Sequence, residues 1–359
     1  MTRPSRNTKR RPTMGDVARA AGVSPMTVSY AYSQPERVSA ESAAKVRAAA
    51  ERLGYPGPHP AARSLRRGRA GSLGVVLGER LSYAFDDPQA ARFLAGVSDV
   101  CAAEGVGLTL VPITGEASDA RRVAQAAVDG FVVWTTSDDD PVLDAVADTG
   151  LPAVVHAGPH RRGMPVIGID DRAAAAAIGA VAFAGARRPV VLGFPLDRDR
   201  ARLLLTGDQV GEVRFPVTRH RWEGLLDAWT ATGRPASELR LAVCPVNLVT
   251  EAETFAAELL RGDEPPDAIA AMGDELALGA LRAAAGAGLR IPADLAVTGW
   301  DDSDAAAPAG LTTLAQSLRD QGAHCARAAL GLPSAAPARH EWQVRVRAST
   351  RTADSTVSS

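Results

Sequence analysis

The side chains of this sequence best able to do chemistry lie in a few short clusters. They are Ser82-Tyr83-Ala84-Phe85, Trp134-Thr135-Thr136, Asp170-Asp171, Asp274-Glu275 and Trp300-Asp301-Asp302. An aromatic face stacks on the apolar face of a sugar ring, and a carboxylate accepts from paired hydroxyls. The set therefore suits a polyhydroxylated ligand. The contacts expected from it are Tyr83, Phe85, Trp134, Asp170, Asp274, Trp300 and Asp301. Each has a plainer reading as well: the tryptophans as core residues, Asp170 and Asp274 as caps of the helices that follow. Patterns for catalysis are missing. There is no GxxxxGK[ST] phosphate loop, no GxGxxG after a strand, no GxSxG elbow and no HExxH, and the six histidines are scattered. Asp138-Asp139-Asp140 resembles a metal cluster, but consecutive side chains point in different directions. The run reads as a solvated loop opening a helix at Pro141. No catalytic residue, metal or cofactor is expected, and the chain is not expected to be an enzyme.

These clusters sit at the ends of apolar runs that alternate with helical stretches from Ser72 to about Leu314. The runs are Leu73–Leu77, Leu108–Val111, Gly130–Trp134, Ala153–Val155, Val166–Ile169, Val190–Phe194, Ala268–Met272 and Leu295–Trp300. Continuous apolar strands separated by alanine-rich helices such as Ala90–Glu104 and Arg172–Ala184 predict parallel sheets covered on both faces. In such sheets ligands bind outside the carboxyl ends of the strands, where the clusters fall. Eight or more strand–helix units fill two doubly wound subdomains. Trp342–Arg347 alternates with period two and reads as an edge strand.

The front of the chain differs in kind. The net charge of −1 conceals an asymmetry: residues 1–69 hold 14 of the 40 basic residues but 4 of the 41 acidic ones. A basic head on an acidic body fits a nucleic-acid-binding module joined to something else. Of the basic residues only Lys9 and Lys45 are lysine, a bias that reflects codon composition rather than phosphate binding. Residues 1–12 are polar without periodicity. Met14, Val17, Ala18 and Ala21 then recur at helical spacing up to Gly22. Ser24-Pro25 opens a second short helix to about Tyr32, and Ser39 opens a third, with Ala43, Val46, Ala50 and Leu53 on one face and a stop at Gly54. Two short helices joined by a glycine-containing turn and braced by a third make a helix-turn-helix. Tyr55-Pro56-Gly57-Pro58-His59-Pro60 must be a linker, and Ala61–Arg67 offers a short helix that could order only against a partner.

No apolar run of membrane-spanning length occurs and the amino terminus lacks a signal peptide's apolar stretch. Cys101, Cys244 and Cys325 are widely spaced, outside any CxxC or Cys/His cluster. A cytoplasmic protein with no membrane partner is expected.

These motifs together resemble the LacI/GalR family of bacterial transcription regulators over nearly the whole chain. The residues that carry the resemblance are Asp16-Val17-Ala18, Ala21-Gly22-Val23-Ser24, Thr27-Val28-Ser29 and Val38-Ser39. Further along they are Asp274–Ala280, Ile291–Leu295, Gly299-Trp300-Asp301-Asp302 and Leu311–Leu314. The resemblance implies an all-α helix-turn-helix headpiece joined to an α/β core of two doubly wound parallel-sheet subdomains, periplasmic-binding-protein-like. It implies a repressor that works as a homodimer on a pseudo-palindromic double-stranded DNA operator, with a sugar-like small-molecule effector between the core subdomains.

The expected organisation is a flexible arm (1–12), a headpiece (13–58), a hinge (59–71), a core (72–350) and a disordered tail (351–359). Within the core, the N-subdomain takes about 72–168 plus 315–332 and the C-subdomain about 169–314 plus 338–350. By position, Pro25, Met26 and Tyr30 take the base-facing places, and Thr27 and Ser29 look like phosphate contacts. Leu65 matches the leucine that wedges into the minor groove. Thr13, Ser24, Ser33, Arg37, Ser39 and Arg63 complete the expected DNA contacts. Arg221 and Asp301 match effector-contacting residues. Gly273 stands where a member of the family has an effector-binding asparagine, and Tyr30 where many members have an arginine that reads guanine. The alternative readings are a solute-binding protein without DNA function and an enzyme on the same scaffold.

Overall fold

The structure, a computed structural model, describes residues 12–57, 69–78, 85–114, 116, 118–334 and 336–351. The chain divides into two units, residues 1–70 and 71–359.

The first unit holds α1 (Met14–Ala21), α2 (Pro25–Ser33) and α3 (Ala40–Leu53). Each start is set by a side chain that satisfies an otherwise orphaned backbone N–H. Thr13 and Asp16 form a reciprocal capping box: Asp16 N donates to Thr13 Oγ1 at 3.3 Å, and Thr13 N donates to Asp16 Oδ2 at 2.9 Å. Ser24 Oγ accepts from Thr27 N at 3.0 Å, and Ser39 Oγ from Ser42 N at 3.2 Å. Gly22 ends α1 with φ 66° and Gly54 ends α3 with φ 64°, left-handed conformations that favour glycine. The three helices close over Val17, Ala18, Val28, Val46, Ala49 and Ala50. Burial of each valine contributes about 1.5–3 kcal/mol. Leu53, expected on the buried face, lies on the last turn of α3 and remains partly in solvent, whereas Ala49 is buried.

The second unit contains two sheets. β1 (Ser72–Leu77), β2 (Gly107–Pro112), β3 (Phe131–Trp134), β4 (Ala153–His156) and β5 (Val166–Ile167) form a parallel sheet in the order β2-β1-β3-β4-β5. β6 (Pro189–Gly193), β7 (Leu203–Thr206), β8 (Arg240–Val243), β9 (Ala268–Ala271), β10 (Ala296–Asp301), β11 (Thr312–Ala315) and β12 (Gln343–Arg345) form the other. Its order is β12-β11-β10-β9-β6-β8-β7, antiparallel only at its two edges. In chain order the core helices are α4 (Pro88–Ala103), α5 (Ser118–Gln125), α6 (Pro141–Asp148), α7 (Asp171–Ala182), α8 (Pro216–Thr230), α9 (Val249–Arg261), α10 (Asp274–Gly286) and α11 (Leu318–Ala329).

Successive strand residues point to opposite faces, so each apolar run feeds two cores. In β1, Val75 packs with Phe93 and Val97 of α4 and Ala326 of α11, while Val76 packs with Val123 of α5 and Val142 of α6. In β6, Val191 joins Trp222 and Trp229 of α8, while Val190 and Leu192 join Phe255 of α9 and Leu276 of α10. Three strands, β7, β8 and β11, lie outside the runs named from the sequence: β7 and β8 are apolar over only three residues each, and β11 over two. Leu203 and Leu204 remain partly exposed on the edge, Arg240 opens β8, and Thr312-Thr313 makes β11 polar. The run Val166–Ile169 pairs with β4 only over Val166–Ile167.

The chain crosses between the sheets after β5, between β11 and α11, and between α11 and β12. The first and third crossings are bonded to each other. Gly168 N donates to Ala338 O at 3.1 Å and His340 N to Gly168 O at 2.7 Å.

Candidate functional sites in the headpiece and the core

In the headpiece, α2 presents its first turn outward. Pro25 is exposed and Met26 is 60% exposed, whereas Val28 and Ser29 face inward. Tyr30 is half-buried and carries the Arg37 guanidinium over its ring at 4.6 Å. Arg37 also donates to Gln34 Oε1 at 3.1 Å. The Thr27 hydroxyl lies 2.9 Å from Ser24 Oγ, so both hydroxyls already serve the cap. Ser33 donates to Ser29 O at 2.9 Å. Thr13 and Ser39 are exposed cap residues. Ser29 departs from its expectation: at 4% exposure its side chain is packed inside the headpiece rather than offered to a phosphate. Arg63 and Leu65 lie outside the described residues, as does Tyr83 of the core.

In the core a cavity of about 110 Å³ lies at the carboxyl ends of the strands of both sheets. Trp134, which ends β3, lines it and stacks on His156, which ends β4, with ring centroids 4.6 Å apart and 16° between planes. Phe93 backs the pair at 4.2 Å from the indole. Arg221 of α8 enters from the other subdomain. It donates to Asp171 Oδ1 at 2.8 Å and lies over the Trp300 ring at 4.1 Å. Phe194, Phe215 and Ile169 add apolar wall, and Asp87, Gln89 and Asn247 add polar groups. Gln89 Nε2 is buried with no hydrogen-bond partner among the described residues, a donor open to an acceptor in the cavity.

A directional hydrogen-bond chain runs along one wall. Gln316 Nε2 donates to Asp301 Oδ1 at 2.7 Å, and Gln321 Nε2 donates to Gln316 Oε1 at 3.0 Å. The Gln321 amide oxygen therefore faces His156 Nε2 at 2.8 Å, which places the imidazole proton on Nε2. Burial holds His156 down to about 4, so it stays neutral at physiological pH. Burial pushes Asp301 up to about 7, although Arg221 opposes the shift. Burial also raises Asp87 and Asp274.

Backbone strain gathers at the same place. Thr135, Ala157, Arg200 and Asp301 have φ of 49°, 56°, 50° and 102°, and all four line the cavity. Gly78, just beyond β1, permits a close approach, since a Cβ there would meet Thr135 O at 1.7 Å.

Of the expected effector contacts, the structure brings Trp134, Arg221 and Asp301 to the cavity. Five others are corrected. Phe85 is 64% exposed and does not line it. Asp170 caps α7 through Ala173 N and pairs with Arg339 at 2.6 Å; its neighbour Asp171 lines the cavity instead. Asp274 is buried and does not line the cavity; it accepts from Ser303 N and Thr313 Oγ1, both at 2.6 Å. Trp300 is a core residue that supports Arg221 from beneath. Gly273 is packed against Asn247 and Phe194, so the neighbouring Asn247 supplies the amide.

His156, Phe194, Asn247 and Gln316 went unread, yet each stands at or just beyond the carboxyl end of a strand. The rule that identified the other clusters already reaches His156 and Phe194 at the ends of β4 and β6, and reaches Asn247 and Gln316 once β8 and β11 are included.

A helix-turn-helix unit followed by a two-subdomain α/β core with a cavity between its sheets defines a transcription regulator with a ligand-binding domain. Residues 13–57 match the family of bacterial regulatory proteins of the lacI type, and residues 202–352 match the periplasmic binding protein-like domain. The chain is 39% identical over 319 residues to the HTH-type transcriptional regulator Rv3575c of Mycobacterium tuberculosis, covering 88% of this chain and 89% of that one. It is 37% identical over 317 residues to the HTH-type transcriptional regulator IpsA of Corynebacterium glutamicum, covering 86% and 88%. A solved LacI-family transcriptional regulator from Corynebacterium glutamicum superposes with TM-score 0.71 at 30% identity, over 96% of this chain and 100% of that one.

The chain belongs to the LacI family. It is a DNA-binding transcriptional regulator with an effector-binding core, and the solute-binding reading without DNA function is set aside by the headpiece. Among the described residues no helix is long and apolar enough to cross a membrane.

Proposed function

We propose that the protein is a cytoplasmic repressor, a homodimer on a pseudo-palindromic operator, governed by a sugar-like effector in the core cavity. Pro25, Met26 and Tyr30 face base edges in the major groove. Met26 supplies an apolar contact suited to a thymine methyl, and Tyr30 replaces the usual bidentate arginine contact to guanine. Thr27, Arg37 and the cap residues Thr13, Ser24 and Ser39 hold the backbone, and Leu65 wedges the minor groove. In the core, Trp134 stacks on the effector while Asp301 and Arg221 bond its hydroxyls. Effector binding changes the closure of the core and thereby the spacing of two hinge segments.

The observation that supports this reading best is the pairing, in one chain, of an outward-facing first turn on α2 with an aromatic- and carboxylate-lined cavity. Duplexes selected from a random pool should bind at least about 1000-fold more tightly than random duplex at physiological salt, measured by fluorescence anisotropy. Sugars and polyols are then screened for a change in that binding. Equal affinity for random duplex would overturn the reading.

A further inference from the structure

The run Asp138-Asp139-Asp140 does more than open α6. Each of its carboxylates is paired with a different arginine from the opposite subdomain. Asp138 pairs with Arg219 of α8, Asp139 with Arg214, and Asp140 with Arg198 at 2.5 Å. Asp138 N also donates across the gap to Arg214 O at 3.1 Å, a backbone bond between subdomains. Arg219 is braced on its own side by Val213 O at 2.9 Å, and Arg161 donates to Asp138 O at 3.2 Å from the side of the run itself. The pairs flank the cavity. Thr136, which lines it, donates to Asp140, while Phe215 and Pro216, also lining it, sit between Arg214 and Arg219.

We propose that this run is an ionic strap that holds the two core subdomains closed along one side of the cavity, and that its strength sets how readily the core opens. The proposal depends on the effector reading only for its biological consequence; the geometry it predicts is independent of any ligand. Two of the three pairs, Asp138–Arg219 and Asp139–Arg214, are substantially in solvent, with 30–54% of each side chain exposed. Such pairs weaken as salt rises, so the strap makes core closure sensitive to ionic strength. Asp140 is buried and caps α6 as well, so it is left intact in the test.

The test uses the full chain with Ala147→Cys and Ala231→Cys, two exposed sites beyond the strap on opposite subdomains, carrying nitroxide labels. The native cysteines are buried, and a large excess of unlabelled protein isolates distances within one protomer. Pulsed dipolar spectroscopy compares the parent with Asp138→Asn/Asp139→Asn at about 50 mM and about 500 mM salt. In the parent, a short distance should dominate at low salt and lose weight to longer ones at high salt. The double variant should show the longer distances at both, with the ratio of long to short raised about threefold or more at low salt. A parent distribution that ignores salt overturns the strap. So does a double variant that matches the parent at low salt, or one that retains the parent's salt response.

Discussion

Asp301 and His156 titrate at opposite ends of one hydrogen-bond chain, and burial shifts them in opposite senses. Asp301 is raised from 3.8 to about 7, so between those values the folded state holds a proton that the unfolded state has lost. Acidification from pH 7 towards 4 therefore stabilises the fold through this group. His156 is lowered from 6.5 to about 4, so across that interval the unfolded state binds the extra proton and acidification destabilises. The two contributions offset each other between pH 6.5 and 4. Asp301→Asn removes a buried charge at pH 8 and is expected to raise the unfolding free energy there by about 1–3 kcal/mol. It also uncovers the His156 contribution, so the variant should lose stability more steeply than the parent from pH 6.5 to 4. Thermal unfolding at pH 8, 6.5 and 5 reads both effects, and parallel pH profiles for parent and variant would refute the coupling.

The headpiece is a set of elements defined by their ends. Ser24 caps α2 through Thr27 N, and its hydroxyl also fixes Thr27 Oγ1. Ser24→Ala should cost about 1 kcal/mol of headpiece stability. It should also weaken operator binding, because the outward first turn frays; chemical denaturation and anisotropy on one sample measure the two. Such ends were readable from residue types alone, since a serine before a proline and a glycine in the left-handed region have few other uses. The inner strands of the first sheet were readable for a related reason: burial on both faces leaves continuous apolar runs such as Leu73–Leu77. β8 and β11 were not, because Arg240 and Thr312-Thr313 satisfy their polar groups through tertiary contacts. Arg240 donates to Glu264 O at 2.9 Å, and the Thr312 and Thr350 hydroxyls meet at 2.8 Å. The missed strands hid Asn247 and Gln316. Asp170 and Asp171 differ by one step of helix phase: the first caps α7, and the second turns inward to Arg221.

At the scale of the whole molecule, the basic residues gathered before residue 70 assign most of the DNA affinity to one unit of an otherwise acidic chain. Non-specific affinity should therefore fall linearly on a log–log plot against salt, with a slope of about 0.9 for each phosphate neutralised. A chain of residues 71–359 should show no measurable affinity for duplex at any salt, and retained binding by that fragment would contradict the assignment. The core's own motion is constrained by the way two of its three crossings are tied together through Gly168, Ala338 and His340. A pair of ribbons laced edge to edge resists shearing but bends easily across its width, as a book's spine does. The two lobes can thus swing about that spine without sliding past each other. Within the core, the lacing at Gly168 therefore leaves bending about that line as the softer motion between the lobes and shear along it as the stiffer one.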